Sequence, residues 1–218
     1  MNIVFKVDGL MVDRIVFIGP PEAGKTSIRK FFFDGIPAGE LLNKPEPPSI
    51  GMKYSNYTYL FTHPIEKDGE EPEKFPFKLS LLDTSGQEIV KWLTEEKENV
   101  FNDSTHIFFI CDAADWLNED WKNTLLELVG KINKERINLA PNALLHVIVH
   151  KFDKVSDQFD KIKEFKDKIK LELQDYFFKE HKLLLDFNVI VTSLYENYRK
   201  ESFLDLLNVV TNSFMNVG

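Results

Sequence analysis

A chain of 218 residues with 43% hydrophobic residues falls in the globular class, and its length suits one large domain. Lysine and arginine number 27 against 35 aspartates and glutamates, and the resulting net charge of −8 excludes general binding along a nucleic-acid phosphate backbone. The single cysteine, Cys111, excludes an internal disulfide or a zinc cluster of cysteines. It follows the apolar run Ile107-Phe108-Phe109-Ile110, where a buried thiol is expected.

Lys6, Asp8, Asp13 and Arg14 interrupt any signal-peptide core, and no apolar run approaches the ~18 residues of a membrane span. Neither a myristoylation glycine nor a prenylation cysteine is present, so the expectation is a cytoplasmic protein without a lipid anchor, recruited to membranes only through a partner.

In chain order, Arg14–Ile18 reads as a buried strand and Lys25 to Phe33 as a helix. Ile3–Val7, Asp8-Gly9 and the run from Leu10 suggest an extra N-terminal edge strand within residues 1–10. Residues 34–50 hold five prolines and glycines before Pro48 and read as a loop. Tyr54–Phe61 and Phe77–Leu82 read as strands, joined by a polar stretch with the hairpin signal Asp68-Gly69, hence antiparallel. His106–Asp112 is a strand, followed by helical spacing at Trp121, Leu125, Leu128 and Ile132. Ala143–Val149 is a strand, and Phe159, Ile162, Phe165, Ile169, Leu173 and Phe177 mark a long amphipathic helix whose lysines face solvent. Val189–Val191 is a short strand, and Phe203, Leu206, Leu207, Val210 and Phe214 mark the apolar face of a closing helix. Strands alternating with helices predict an α/β fold: a mostly parallel six-stranded sheet with one antiparallel strand and helices on both faces. Residues 1–218 then form a single domain. His106, His146 and the tryptophans Trp92, Trp116 and Trp121 are expected to pack in the core or between helices.

The strongest chemical signal is Gly19-Pro20-Pro21-Glu22-Ala23-Gly24-Lys25-Thr26, a phosphate-loop pattern placed between a strand and a helix. Glycines let backbone N–H groups turn inward around phosphate oxygens, and the helix N-terminus adds partial positive charge. Gly19, Glu22, Ala23, Gly24, Lys25, Thr26 and Ser27 are the expected cradle. Lys25 would reach the terminal phosphates, and the Thr26 hydroxyl would ligate Mg²⁺, a cation that prefers hard oxygen. Asp83-Thr84-Ser85-Gly86-Gln87 ends a strand 57 residues after Thr26. Asp83 there can hold Mg²⁺ through water, Gly86 can offer its N–H to the terminal phosphate, and Gln87 can orient an attacking water. His150-Lys151-Phe152-Asp153 follows another strand. The Asp153 carboxylate can accept from the N1–H and exocyclic amine of guanine, a donor pair adenine lacks, while the Lys151 stem packs over the purine. In Thr192-Ser193-Leu194, the Leu194 N–H can meet the guanine O6.

This chain order resembles the Ras-like small GTPases from about Ile15 to Phe214, and in detail the Rag/Gtr branch. That branch carries HKxD, as in His150–Asp153, and a last box similar to Thr192-Ser193-Leu194-Tyr195-Glu196. The resemblance implies GTP and GDP with Mg²⁺ as ligands, slow GTP hydrolysis, and regulatory proteins: an exchange factor, an activator and an effector. It also implies a roadblock-type protein or a second GTPase as partner.

Four departures bear on it. The sequence ends after the final helix, without the roadblock-like domain, so that mode of heterodimerisation is not carried over. Pro21 stands where many relatives have glycine and can crowd the water. His150 replaces the usual asparagine. Pro48-Ser49-Ile50-Gly51 offers Ser49 where a threonine usually ligates Mg²⁺; with Pro47 it also resembles the Arf/Sar pattern. Two alternatives stand beside the switch: a GTP-binding scaffold that does not hydrolyse, and an Arf/Sar-like trafficking GTPase. A P-loop ATPase or kinase is disfavoured by Asp153.

Overall fold

The computed structural model describes residues 6–7, 10–44, 47–62, 74–159, 161–183, 185 and 187–215. Three consecutive apolar runs build the centre of its sheet. β2 (Leu10–Ile18), β5 (His106–Asp112) and β6 (Leu144–His150) lie side by side and parallel. Every residue of β5 is buried, and Ile15 to Ile18 are at most 1% exposed, which explains why these strands read as unbroken apolar runs rather than alternating ones.

The full order is β3-β4-β2-β5-β6-β7. β7 (Asn188–Thr192) adds parallel to β6. β4 (Lys74–Thr84) runs parallel to β2 and antiparallel to the outer β3 (Met52–Thr62). The antiparallel pair matches expectation; its Asp68-Gly69 turn lies outside the described residues. β1 (Lys6–Val7) pairs antiparallel with the start of β2, so an N-terminal edge strand is present, two residues long. Its turn at Asp8-Gly9 and the expected residues from Ile3 lie outside the described residues.

Helices cover both faces and define two cores. One core packs α3 (Ile89–Thr94), α4 (Lys97–Phe101), α5 (Ala113–Leu117), α6 (Glu119–Leu139) and α7 (Ile162–His181) against Val16, Phe109, Val147 and Val189. Trp92, Phe101, Trp116, Phe165 and Phe177 are its large members, each at most 2% exposed, and burying each contributes about 1.5–3 kcal/mol. The opposite core packs α1 (Lys25–Phe32), α2 (Ala38–Asn43) and α8 (Glu196–Met215) against Phe17, Phe108, Ile148 and Ile190.

Three expectations need correction. Residues 34–50 contain α2: Ala38 and Leu41 are buried against α1 and β4, and that burial outweighs the flanking prolines and glycines. Trp121 is 51% exposed, because the buried stripe of α6 runs through Leu125, Leu126, Val129 and Ile132 instead. Leu207 is 44% exposed, with Leu206 taking the core position. The lysines of α7 face solvent as expected, and Lys166 pairs with Asp205 of α8.

His106 and His146 are buried side by side, Nδ1 to Nε2 at 3.0 Å, and stack with Phe108. Burial lowers them from 6.5 to about 4 and about 3, with His106 adding to the fall at His146. The folded protein therefore keeps both neutral while the unfolded chain binds protons below about 6.5. Stability is full above that pH and falls as pH drops toward 4, each ring costing about 1.4 kcal/mol per pH unit. Urea unfolding at neutral and mildly acidic pH should show this loss; a flat profile would contradict it.

Candidate functional site

Each core strand ends at the same edge of the sheet and delivers one piece of a cleft. β2 runs into the phosphate loop at Gly19, β4 into Ser85-Gly86-Gln87, β5 into Asp112, β6 into Lys151–Asp153, and β7 into Ser193-Leu194. The cleft has a volume of about 570 Å³. Its walls include Glu22, Gly24, Lys25, Thr26, Ser27, Ser49, Gly86, Gln87, His150, Lys151, Asp153 and Leu194, twelve of the residues singled out from the sequence. Gly19, Ala23, Asp83 and Ser193 are buried and do not line it.

The phosphate loop fits because three residues lack a side chain. A Cβ on Gly19 would lie 1.9 Å from the Ile110 carbonyl oxygen. One on Gly24, where φ is +93°, would lie 2.3 Å from the His150 ring. One on Gly86 would lie 2.3 Å from the Pro21 nitrogen. The loop is thus pressed against β5, the end of β6 and the segment after β4.

Lys25 is 6% exposed, and its Nζ donates to the carbonyls of Gly19 (2.9 Å) and Pro20 (2.7 Å) within its own loop. Burial lowers its ammonium to about 8, against the raising influence of Asp83. The loop thus holds a cation ready to trade two carbonyls for phosphate oxygens.

Asp83 is the meeting point of the oxygen donors. Its Oδ2 accepts from Thr26 Oγ1 at 3.0 Å, and Thr26 Oγ1 lies 3.0 Å from Ser49 Oγ. Its Oδ1 is buried without a hydrogen-bond partner. Burial raises the Asp83 carboxyl, against the hydrogen bond from Thr26 and the charges of Arg29 and Lys25. Two hydroxyls and a carboxylate with an unpartnered oxygen are hard donors of the kind Mg²⁺ takes. Ser49 thus reaches the same cluster from segment 47–51.

At the other end, Asp153 is half-buried and its Oδ1 accepts from Ser193 Oγ. His150 is fully enclosed: Nδ1 meets Thr192 Oγ1 at 2.8 Å while the opposite edge of the ring packs on Gly24. Burial lowers it to about 3, so it is a neutral strut between the β6–β7 loops and the phosphate loop. Lys151 donates to the Glu22 carbonyl and to Asp112 Oδ2 at 2.9 Å.

Sequence reasoning assigned no role to four residues in or beside the cleft. Asp112 caps α5 through Oδ1, and its Oδ2 holds both Lys151 and Lys154. Burial alone would raise this carboxyl, but the two lysines and the Ala114 N–H outweigh it and keep it below its ordinary range. Tyr195 and Leu41 line the cleft. Arg29 bonds Asp83. Asp112, as the last residue of an apolar strand, and Tyr195, in the box after β7, carried a sequence signal; Leu41 and Arg29 carried none.

Among the described residues that line the cleft there is no arginine. No described helix is long and apolar enough to cross a membrane.

Gly86→Ala places a Cβ against backbone at Pro20 and Pro21 that has no rotamer to move. It should destabilise the protein by about 1–3 kcal/mol in urea unfolding, the usual cost of overpacking. An unchanged midpoint would contradict the close approach.

A family model described as the Gtr1/RagA G protein conserved region matches residues 62–204. The matched stretch holds Asp83, Gly86, Gln87, His150, Lys151, Asp153, Ser193 and Leu194, while the phosphate loop and Ser49 precede it. No curated protein matches the chain. The match favours the Rag/Gtr branch over the Arf/Sar likeness of residues 47–51. The chain belongs to the Gtr1/RagA family of guanine-nucleotide-binding G proteins.

Proposed function

We propose that this G protein is a molecular switch that binds GTP or GDP with Mg²⁺ and hydrolyses GTP slowly. The observation that carries the proposal is one cleft with a buried lysine and oxygen donors at one end and the Asp153 carboxylate at the other. Guanine would lie against Asp153, which Ser193 holds in place, with the Leu194 N–H toward O6 and the Lys151 stem over the ring. The phosphates would lie over the loop, where Lys25 exchanges its two carbonyl partners for their oxygens.

Thr26, Ser49 and Asp83 would hold Mg²⁺, which when bound offsets charge on the terminal phosphate oxygens. Gln87, exposed on the cleft wall, would orient a water in line with the γ-phosphate, and the Gly86 N–H would meet that phosphate. With no arginine on the described cleft walls, turnover is slow until a partner protein supplies or organises the missing group. An exchange factor, an activator and an effector complete the cycle in the cytoplasm. A roadblock-type protein or a second GTPase is a further partner that the family likeness supports.

Residues 34–51 and 84–102 would act as the two switches. They are already tied together at Gly51, whose carbonyl accepts from the Ser85 N–H at 2.8 Å and whose N–H donates to Glu88 Oε2 at 2.8 Å. A γ-phosphate that moves one segment would move the other through these bonds. A second reading, a GTP-holding platform that does not hydrolyse, is favoured by Pro21, whose backbone lies against Gly86 on the same wall as Gln87.

The nucleotide released on denaturing protein purified in Mg²⁺ separates these readings. GDP is expected, GTP would favour the platform, and an adenine nucleotide would contradict the assignment of Asp153. Asp153→Asn turns an acceptor into a donor suited to the xanthine carbonyl. It should shift the preference from GDP toward XDP by about a hundredfold, the scale at which a buried unpaired group discriminates. Gln87→Leu should slow hydrolysis by about tenfold or more while leaving GDP affinity unchanged.

A further inference from the structure

The switch mechanism leaves one buried charge unused. Arg29 lies on α1 three residues after Thr26, so both side chains sit on the same helix face toward the end of β4. The residue is only 2% exposed. Its Nε donates to Asp83 Oδ2 at 3.3 Å, and its Nη1 donates to Asp34 Oδ2 at 2.5 Å. The other oxygen of Asp34 accepts from the Tyr57 hydroxyl at 2.6 Å. One guanidinium therefore joins the metal carboxylate, the first residue of segment 34–51, and β3.

We infer that Arg29 is a resident counter-cation for Asp83: it keeps that carboxylate paired when no metal is bound, and so sets how much free Mg²⁺ the protein needs to retain its nucleotide. The inference rests on the Mg²⁺-nucleotide reading given above. Arg29 pairs with Asp83 Oδ2 and leaves Oδ1 without a partner, so a metal held by Asp83 would draw on the same negative charge. Two like charges a few ångströms apart, in a site this buried, oppose each other strongly. Asp34 draws Arg29 the other way. A rearrangement of segment 34–51 that loosens Asp34 leaves more of the guanidinium on Asp83 and weakens the metal site. Metal affinity thereby follows the position of the first switch. Arg29 is a positioning residue in this scheme, since it acts through Asp83.

The test is the release rate of a fluorescently labelled GDP across a buffered series of free Mg²⁺. Arg29→Met should move the midpoint to lower Mg²⁺ by about fivefold or more, since the opposing charge is gone. Arg29→Lys, which keeps the charge but not the two-armed contact, should move the midpoint less than Arg29→Met does. Asp34→Asn should move the midpoint the other way, to higher Mg²⁺, by about twofold or more. A merely structural arginine would raise the requirement for Mg²⁺ on its removal, so an unchanged or higher midpoint in Arg29→Met overturns the inference. If Arg29→Met does not fold, an unchanged or lower midpoint in Asp34→Asn overturns it instead. A wild-type protein whose labelled GDP leaves at one rate at every Mg²⁺ concentration would overturn the metal reading beneath it as well.

Discussion

Three places where a side chain would not fit hold the cleft together. Gly19 lies on the β5 backbone, Gly24 under the His150 ring, and Gly86 on Pro20 and Pro21. These contacts bring the phosphate loop, the end of β6 and the segment after β4 to one edge of the sheet. The buried parallel strands supply the rigid floor, and the glycines let the loops close upon it. His150 extends the clamp, because a neutral ring can be enclosed between Gly24 and Thr192 without a counter-ion.

Charge in the cleft is held by partners that a ligand can replace. Lys25 leans on two carbonyls, and Asp83 on a hydroxyl and a guanidinium. Each group is already held in place, so in the proposed reading a nucleotide would substitute for existing hydrogen bonds rather than order free side chains. Asp112 does the same at the base end: it holds Lys151 and Lys154 beside Asp153 with its own carboxylate shielded from water. The proposed switch segments differ from the rest in how they are fastened. Segment 47–51 meets residues 85–88 through Gly51 and the phosphate loop's helix through Ser49 and Thr26, by hydrogen bonds rather than by a packed core. Ile50 is 92% exposed between them.

The sheet was legible because its central strands are buried on both faces and therefore written as apolar runs. The phosphate loop, Asp83, Gly86 and Asp153 were legible because their chemistry fixes residue type and spacing. The short helices α2 to α5 were not, since each has one or two buried residues, too few to show a period. Trp121 misled because helical spacing does not say which of two neighbouring stripes faces the core. Arg29 looked like an ordinary helix residue. Its setting comes from Asp83, which arrives beside it from β4 to share the guanidinium with the nearby Asp34, and no local pattern records that.

In the proposed cycle a clamped nucleotide cleft drives two hydrogen-bonded switch segments. Hydrogen exchange compared between the GDP form and a form bound to a non-hydrolysable GTP analogue tests it most directly. Protection should rise with the analogue in residues 34–51 and 84–102 and stay level in β5, β6 and residues 150–153. Identical exchange in the two forms, or changes confined to the central strands, would contradict it.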